Sequence, residues 1–362
     1  MTQRSSYTIE VFDASGNRLA DVSTYCTKRH FVIRRNRAEV VELSFDQGQL
    51  ESLASTLGTS VPQLLAPGIN EIRISRGNRV LIGSQIAYLA ASVDNRQRTL
   101  ELRAVGYLDL LHDRQLSPLL TLDYTGAPVD LGVVCTNWIT QTQTQTNGSF
   151  GLTIGTIQTS RNTNTNDKWP PYGMSIRDGI YGITQRRLSI DIEITPFKVF
   201  NVYYPGIGTV HNDLLFTYPG NIKSLRLPLD ATGLGNRSIN RGSGNGDQQL
   251  VENRNDLNAQ AIYKVRERLD DHPSCNVVTT LDDYGDESLR KYATPTAIPD
   301  VTLDGNVEPF LGAYWIGDWV PFQVSAGSSF AALNGQTLRI NEIDVTVDQN
   351  DSEDIRLKVG YA

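Results

Sequence analysis

Two stretches of the sequence, one near each end, carry the same pattern of apolar and polar positions. Residues 92–107 read SVDNRQRTLELRAVGY, and residues 346–361 read TVDQNDSEDIRLKVGY. Each stretch has a strand end with Val-Asp, a polar turn and a second strand that closes on Val-Gly-Tyr. Because shared identities coincide with a shared strand-turn-strand order, we predict a duplicated β-unit in this chain.

The apolar positions before the turn also match between the two stretches. They are Ile86, Leu89, Ala91 and Val93 in the first stretch, and Ile340, Ile343, Val345 and Val347 in the second. In both, the first step is three residues and the later steps are two. Because side chains of a β-strand alternate with a period of two, the single step of three predicts a β-bulge at the same place in each copy.

The first part of the chain, residues 1–115, is predicted to be one β-barrel or small sandwich. Apolar and polar residues alternate over 7–11, which is typical of a strand. The alternation over 31–45 predicts one long strand with a charged centre. A mixed stretch at 52–65 predicts a short helix, and the Arg-Gly-Asn sequence at 76–78 predicts a hairpin.

The middle of the chain, residues 116–212, is predicted to be an inserted α+β domain. Apolar residues at helical spacing over 127–145 and 175–186 predict two helices. Apolar residues alternate with polar ones over 188–194 and 199–204, which predicts two paired strands.

The remainder is predicted to return to β-structure. Residues 213–250 and 306–362 together form a second β-barrel that is discontinuous in sequence, and the Gly- and Asn-rich stretch 233–247 within it is predicted to be a surface loop. Residues 251–305 form a helical or irregular connecting segment that ends in a linker at 295–309. The fold class is therefore β-rich α+β, with two β-barrel or sandwich domains and an inserted α+β domain.

Composition narrows the function classes. A chain of 362 residues is too long for one ordinary core and predicts two to four domains. The net charge is −7 and the pI is about 5.2, so specific nucleic-acid binding, which needs a basic face, is not favoured. The sequence has no apolar run of about 18 residues and no signal-peptide core, which predicts a soluble protein without a membrane span, made in a cytoplasm.

No catalytic, cofactor-binding or metal-binding residue is predicted. The serine-hydrolase elbow and the zinc-protease motif are absent. The glycine-rich loop 242–246 lacks the P-loop lysine, which favours a flexible hairpin or a surface loop. Acidic runs at 270–271, 282–287 and 348–354 lack the residue order of a calcium loop and are predicted to be solvated turns.

Histidines and cysteines give the same result. Cys26, Cys135 and Cys275 are far apart and odd in number, so we expect buried free thiols. The four histidines, none in a metal-ligand spacing, are predicted to lie on the surface or to be hydrogen-bonded. They are His30, His112, His211 and His272. A carboxylate pair for glycoside hydrolysis is defined in space, so the sequence leaves a hydrolase open.

Two local clusters leave a binding role open. One is basic and consists of Lys28, Arg29, His30, Arg34, Arg35 and Arg37. We predict a subunit interface or a solvated strand face there, with nucleic-acid binding as the alternative. The other, Trp-Pro-Pro-Tyr at 169–172, is predicted to be a packed loop or subunit contact, with sugar stacking as the alternative.

Several segments, taken in order, carry a resemblance to a known family. They are 65–74 (LAPGINEIRI), Gly83, 102–111 (LRAVGYLDLL), 200–205 (FNVYYP), 221–225 (NIKSL) and Gly317-Asp318. Over nearly the whole chain this order resembles the tail-hub proteins of long-tailed siphophages, also called baseplate hub or minor tail proteins.

The resemblance implies a structural protein of the virion, not an enzyme, at the distal end of the tail. Each subunit of a homotrimer would supply two tail-tube-like β-barrels, so that three chains form a pseudo-sixfold ring. The implied partners are the distal tail protein, the end of the tape-measure protein and the tail fibre or spike proteins. Genomic DNA would pass through the lumen without specific binding.

The sequence ends at Ala362. We therefore expect no C-terminal fibre, lysozyme or peptidase extension, and we expect that partner proteins make the receptor contacts. The alternative function is a peptidoglycan or glycan hydrolase, or a carbohydrate-binding protein, at the tail tip.

Overall fold

The structure, a computed structural model, describes residues 7–94, 97–124, 128–163, 167–186, 190–295, 298–349 and 352–360. Some residues with a predicted place in an element or acidic run lie outside these ranges. They are Ala127, Leu188, Ser189, Asp351 and Tyr361.

The strands have the following bounds. In chain order they are β1 (Tyr7–Phe12), β2 (Arg18–Asp21), β3 (Cys26–Arg34), β4 (Val40–Asp46), β5 (Glu71–Arg76), β6 (Arg79–Asp94), β7 (Gln97–Gly106), β8 (Thr153–Ile157), β9 (Asp191–Ile194), β10 (Val199–Tyr203), β11 (Phe216–Tyr218), β12 (Ile222–Arg226), β13 (Arg237–Arg241), β14 (Val251–Asn255), β15 (Glu267–Asp271), β16 (Asp300–Asp304), β17 (Trp319–Val324), β18 (Thr337–Val347) and β19 (Glu353–Gly360). The α-helices are α1 (Gln47–Thr56), α2 (Val61–Leu64), α3 (Leu131–Gln143), α4 (Ile176–Thr184), α5 (Leu257–Tyr263) and α6 (Val278–Tyr292).

A 13-stranded, mostly antiparallel sheet contains strands from both ends of the chain. Its hydrogen-bonded order is β12-β16-β19-β18-β3-β4-β7-β6-β5-β1-β2, and β17 pairs with β18 and with β11 beside this path. The predicted β-rich α+β class is confirmed. The pairing of β3 with β18 joins the N-terminal strands to the C-terminal strands in this sheet.

This sheet contains the same four-stranded unit twice, as β3-β4-β7-β6 and as β12-β16-β19-β18. The register of the hairpin strand shifts just after Ile86 in β6 and just after Ile340 in β18, so the two predicted bulges are confirmed. A second bulge is also shared, because the register shifts just after Cys26 in β3 and just after Ile222 in β12. We call β3-β4-β7-β6 the first unit and β12-β16-β19-β18 the second unit.

The predicted alignment of the closing strands, β7 and β19, is wrong by one residue. Their pairing with β6 and β18 makes Leu102 equivalent to Leu357, so Ala104 and not Val105 is equivalent to Val359. Ala104 and Val359 are fully buried, whereas Val105 is half-buried. Because side chains alternate between the two faces of a strand, the shared Val-Gly-Tyr sequence has a different orientation in the two copies.

The prediction of a single strand over 31–45 is also wrong. This region forms β3 and β4, separated by a turn in which Asn36 has a φ of 58°. Asparagine tolerates this left-handed conformation better than most residues. The Asn36 side chain donates a hydrogen bond to Asp191 (2.7 Å) and accepts one from the Ile192 amide (2.8 Å), so the middle segment holds the turn.

The middle segment has a hydrophobic core of its own, built from α3, α4 and the sheet β8-β10-β9. The Ser175 side chain accepts a hydrogen bond from the Asp178 amide (3.0 Å), which caps α4. Ile176, Ile180 and Ile183 then lie on the buried face of α4. The predicted helices and strands of this segment are confirmed within the described residues.

The middle segment packs closely on β6 at Gly83. A Cβ atom at this position would lie 2.5 Å from the carbonyl oxygen of Pro196, so only glycine allows the approach. Nearby, the Tyr107 hydroxyl donates to buried Glu71 (2.8 Å), which also forms an ion pair with Lys198. These contacts fix the middle segment to the first unit.

Two stretches that were predicted to be irregular contain central strands. The predicted loop 233–247 includes β13, the middle strand of the sheet β14-β13-β15, whose Asn240 is fully buried. The predicted linker 295–309 includes β16, which lies between β12 and β19. Val301 and Leu303 of β16 belong to the main hydrophobic core.

Candidate functional site: the joint and free edges of the repeated units

The two units meet along β3 and β18, which we call the joint. Phe31 in β3 lies opposite Val345 in β18, and both side chains are fully buried. The Tyr7 ring contacts the Phe31 ring edge to face, with centroids 5.8 Å apart. The joint is therefore a packed interior interface, not a loose contact between separate sheets.

Opposite charges flank the joint. Arg34 donates a hydrogen bond from Nε to Glu342 Oε2 (2.6 Å), and Lys358 approaches the other Glu342 oxygen at 2.7 Å. Burial alone would raise the pKa of Glu342, but these two cations hold its pKa below the ordinary value. His30 of β3 contacts the strand on either side, with its ring nitrogens 3.1 Å from Glu42 in β4 and 3.0 Å from Asp344 in β18.

A buried charged cluster lies beside the joint, around Asp191. Arg339 in β18 approaches Asp191 Oδ2 at 2.7 Å, and Arg35 lies at 3.6 Å. The Ile207 amide and the Asn36 side chain also donate to this carboxylate, at 3.0 Å and 2.7 Å. Asp191 therefore fixes the turn of the first unit, the middle segment and the second unit at one point.

The outer strands of the repeated units each present an open edge. β6 pairs with β5 only as far as Gln85, and Ile86 bonds to the loop at Gly68 and Asn70. Beyond that point, in the part of the chain that the structure describes, residues 87–94 pair only with β7. β12 pairs only with β16 among the described strands. Unpaired edges of this kind are templates for another strand.

An apolar groove of about 890 Å³ adjoins the open edge of β6. It lies between the α1–α2 helices and the β6–β7 hairpin, and its apolar walls include Ala54, Val61, Pro62, Leu89, Ala91 and Leu100. Val93, at the end of β6, is 71% exposed, whereas its equivalent Val347 is fully buried. The same strand is thus covered in the second unit and uncovered in the first.

Solved structures resemble this fold over nearly the whole chain. A tail protein from Neisseria meningitidis MC58 matches with a TM-score of 0.62 at 10% identity, covering 98% of this chain and 96% of the other. A 43 kDa tail protein of prophage MuSo2 from Shewanella oneidensis matches with a TM-score of 0.61 at 12% identity and 98% coverage of each chain. The chain shares its fold with phage tail proteins.

A third similar structure is a component of a secretion system. The Escherichia coli c3393 protein matches with a TM-score of 0.54 at 10% identity, covering 93% of this chain and 74% of the other. It is described as a component of the type VI secretion system with structural similarity to the bacteriophage T4 tail proteins gp27 and gp5. No protein-family model and no curated protein matches the sequence.

Most side chains of the basic cluster contact other groups of the same chain. Arg29 is buried and donates to the Ser23 carbonyl (3.1 Å), while Arg34 pairs with Glu342 across the joint. Arg35 faces Asp191, and the Arg37 guanidinium lies 4.0 Å from the centroid of the Tyr181 ring. The nucleic-acid alternative loses its support, because these cations are engaged by groups of the same chain.

Trp169 and Tyr172 do not line a common groove, since Trp169 borders a cavity of about 400 Å³ whose lining does not include Tyr172. Its ring packs edge to face against Trp138 and Tyr124, with centroids 5.0 and 5.9 Å away, and the residue is 7% exposed. Tyr172 is exposed. The packed-loop interpretation of residues 169–172 is confirmed for Trp169.

The acidic runs form ion pairs with arginines. Arg241 binds Asp271 through two hydrogen bonds of 2.6 and 2.7 Å, and Arg254 approaches Asp286 at 2.8 Å. Across the described residues, no group of three or more His, Cys, Asp or Glu side chains is arranged to hold a metal ion. The glycine loop 242–246 bonds to its own chain, since the Gly242 amide donates to the Leu250 carbonyl (2.7 Å).

The cysteines are free thiols, as predicted, and burial raises the pKa of Cys26 to about 11 and of Cys135 to about 12. Cys275 is half-buried. His211 contacts Asp318 at 3.0 Å, and His272 stacks on the Tyr284 ring. No helix within the described ranges is long and apolar enough to cross a bilayer.

Sequence reasoning did not identify Asp191 or Arg339, and the prediction that the acidic run 348–354 is a solvated turn is wrong for Glu353. Glu353 is buried in β19, where it accepts a hydrogen bond from the Tyr7 hydroxyl (2.5 Å) and pairs with Arg76 (2.8 Å). A charged residue at an apolar position of the strand pattern is the signal that could have identified it. In β19, Glu353 precedes Ile355, Leu357 and Val359 on the buried face.

Proposed function

We propose that this chain is a structural tail-hub protein of a long-tailed bacteriophage. Three copies would form a pseudo-sixfold ring at the distal end of the tail tube and line part of the DNA exit path. The observation that carries this proposal is that one chain contains two equivalent four-stranded units, with shared bulges, in one sheet. The fold shared with phage tail proteins supports it.

Symmetry explains why such a duplication is useful. A ring of three chains that each present two similar faces matches a sixfold tube on one side and threefold parts on the other. The rigid joint between the units supports this role, because a ring must hold the two faces of each chain at a fixed spacing.

Charge is consistent with DNA passage. The chain has a net charge of −7, and arginines of its main basic cluster pair with groups of the same chain. Cations that are engaged within the chain are less available to bind phosphate groups. The partners proposed are the distal tail protein, the tape-measure end and the fibre or spike proteins.

Immunogold electron microscopy tests the location. Antibodies raised against the purified chain are expected to label phage particles at the distal tail end. Labelling of the capsid, or particles that lack the chain, would contradict the proposal. A turbidity assay on host cell walls serves as the second arm, because carboxylate-dependent clearing by the purified chain would favour the hydrolase alternative.

A further inference from the structure

Within the chain, β3 covers the strand of the second unit that corresponds to the open edge of β6. The three apolar β18 residues beyond the bulge are fully buried where they pair with β3. The pairs, from β18 to β3, are Ile343 to Ile33, Val345 to Phe31 and Val347 to Arg29. The equivalent β6 residues are Leu89, Ala91 and Val93, which pair only with β7 among the described strands.

β12 is the counterpart of β3 in the second unit. Each is the first strand of its unit, and each has a bulge at the same place, after Cys26 and after Ile222. Counting from this shared bulge, Phe31 corresponds to Leu227 and Ile33 corresponds to Leu229. The chain therefore carries both halves of a second joint, the open β6 edge and the open β12 edge, without bringing them together.

We propose that residues 225–229 of a second copy of this chain bind along residues 87–94 of β6 and form a joint like the internal one. This inference rests on the ring proposed above and specifies how neighbouring chains connect. The expected register, from β6 to the second copy, is Leu89 to Leu229, Ala91 to Leu227, Ser92 to Arg226 and Val93 to Leu225.

Some of the apolar side chains that this register brings together are exposed in the single chain, whereas Leu89, Leu225 and Leu227 are half-buried against the main core. Leu229 is 78% exposed and Val93 is 71% exposed, and both would become covered. Leu229 would occupy the groove beside α1 and α2, next to half-buried Leu227, as Ile33 and Phe31 fill the interior of the internal joint. Burial of apolar surface is the main driving force for such association.

The proline in the binding segment fits this register. Arg35 donates its amide to the Asn341 carbonyl (3.1 Å), so alternate β3 residues direct their backbone groups toward β18, and Val32 directs its own away. Pro228 corresponds to Val32, so its missing N–H would face away from β6 and no bond between the chains is lost. On the outer face, Arg226 would become a diagonal neighbour of Asp94, which is a favourable charge pair.

The occupant is a second copy because the two open edges of one chain lie at opposite ends of the run of strands from β12 to β6 and do not pair with each other. Six strands separate β6 from β12 in the sheet order. With neighbouring strands roughly 4.8 Å apart, the edges are separated by roughly 30 Å along the sheet. Repetition of the same contact head to tail gives a ring when the rotation closes.

Disulfide cross-linking tests the register. The variant Ser92→Cys with Arg226→Cys places thiols at a pair whose Cα atoms would lie about 4.5 Å apart, close enough for a disulfide. Mild oxidation of the purified chain is expected to give covalent dimers and trimers on non-reducing gels. The control variant Tyr88→Cys with Arg226→Cys, four residues out of register, is expected to stay monomeric on the gel.

A second variant tests the groove without disturbing the fold. Leu229→Asp is expected to weaken self-association at least about tenfold in sedimentation velocity, because it places a charge in an apolar contact. Leu119→Asp changes a similarly exposed leucine, 73% accessible, and is expected to leave self-association unchanged. Circular dichroism of both variants is expected to match that of the parent.

The outcomes separate this inference from the proposed function. Rings that assemble without the Ser92–Arg226 cross-link overturn the strand register and leave the ring intact. A cross-link within one chain overturns the inference, because both edges then belong to the same molecule. A chain that neither associates nor cross-links, and is absent from phage particles, overturns both proposals.

Discussion

Ala87 and Asn341 are each the extra residue of a β-bulge, and they lie at the same position of two hairpins near opposite ends of the chain. The strands beside them pair in the same order, and their first strands share a second bulge. Because bulges specify register and bend the strand locally, two shared bulges define two equivalent surfaces on one chain. The structural role proposed here depends on this equivalence.

The internal joint is expected to contribute much of the stability. Phe31→Ala removes a fully buried ring that packs on Tyr7 and lies opposite Val345. We expect a loss of about 3–5 kcal/mol in the free energy of unfolding, from lost burial and the cavity that remains. Urea unfolding measures it, with exposed Tyr172→Ala as the control; equal midpoints for the two variants would contradict a packed joint.

The buried cluster around Asp191 is expected to hold the three segments together. Asp191→Asn leaves Arg339, whose side chain is 14% exposed, without the carboxylate partner at 2.7 Å, which we expect to cost about 3 kcal/mol of unfolding free energy. Asp354→Asn removes an exposed pair with Lys223 and is expected to cost less than about 1 kcal/mol. Thermal denaturation compares the two, and a similar loss in both variants would show that the cluster is not structural.

Glu39 is expected to make the protein less stable as pH rises. Burial, with a smaller contribution from the charge of Glu193, raises the pKa of Glu39 to about 7. An unfolded glutamate titrates near about 4.3, so the folded state binds the extra proton and loses stability between about pH 4 and 7. The lower stability persists above this window.

Glu39→Gln tests this pH dependence, because glutamine stays neutral. The variant is expected to show a smaller loss of stability from pH 5 to pH 8 in chemical unfolding, while exposed Glu101→Gln behaves as the parent does. An unchanged slope in Glu39→Gln would rule out Glu39 as the source.

The three thiols are expected to react at different rates. The pKa of Cys26 is about 11 and that of Cys135 about 12, because both are buried. Alkylation requires the thiolate, so neither should be modified by iodoacetamide at neutral pH in the folded protein, whereas half-buried Cys275 should react first. Mass spectrometry of the labelled protein measures the order in which the three cysteines are alkylated. Labelling of Cys135 as fast as Cys275 would contradict the prediction.

The repeat and its bulge could be predicted from the sequence because the alternation of side chains between the two faces of a strand depends only on neighbouring residues. The step from Ile86 to Leu89, repeated from Ile340 to Ile343, was visible without any tertiary information. The register of the closing strands was not visible. It depends on the turn between the paired strands, where Val347 pairs with Glu353 and Asp94 pairs with Gln97. The alignment on the short shared Val-Gly-Tyr sequence therefore matched residues that lie on opposite faces of the two strands.

Other elements could not be predicted from the sequence because they form only through contacts with distant parts of the chain. β16 has only Val301 and Leu303 as a buried pair within a segment rich in proline and aspartate, and it forms because β12 and β19 lie on either side. The open edges of β6 and β12 also could not be predicted from the sequence. Leu229 and Val93 are ordinary apolar positions of a strand pattern, and only the strand order shows that both remain uncovered.

The most direct test of the central claim is an electron cryo-microscopy reconstruction of the distal tail, without imposed symmetry, from phage particles that contain this chain. We expect a ring of three copies in which six equivalent four-stranded units surround one axis. A ring of six copies, or one in which only one unit of each chain lies in the ring, would contradict it.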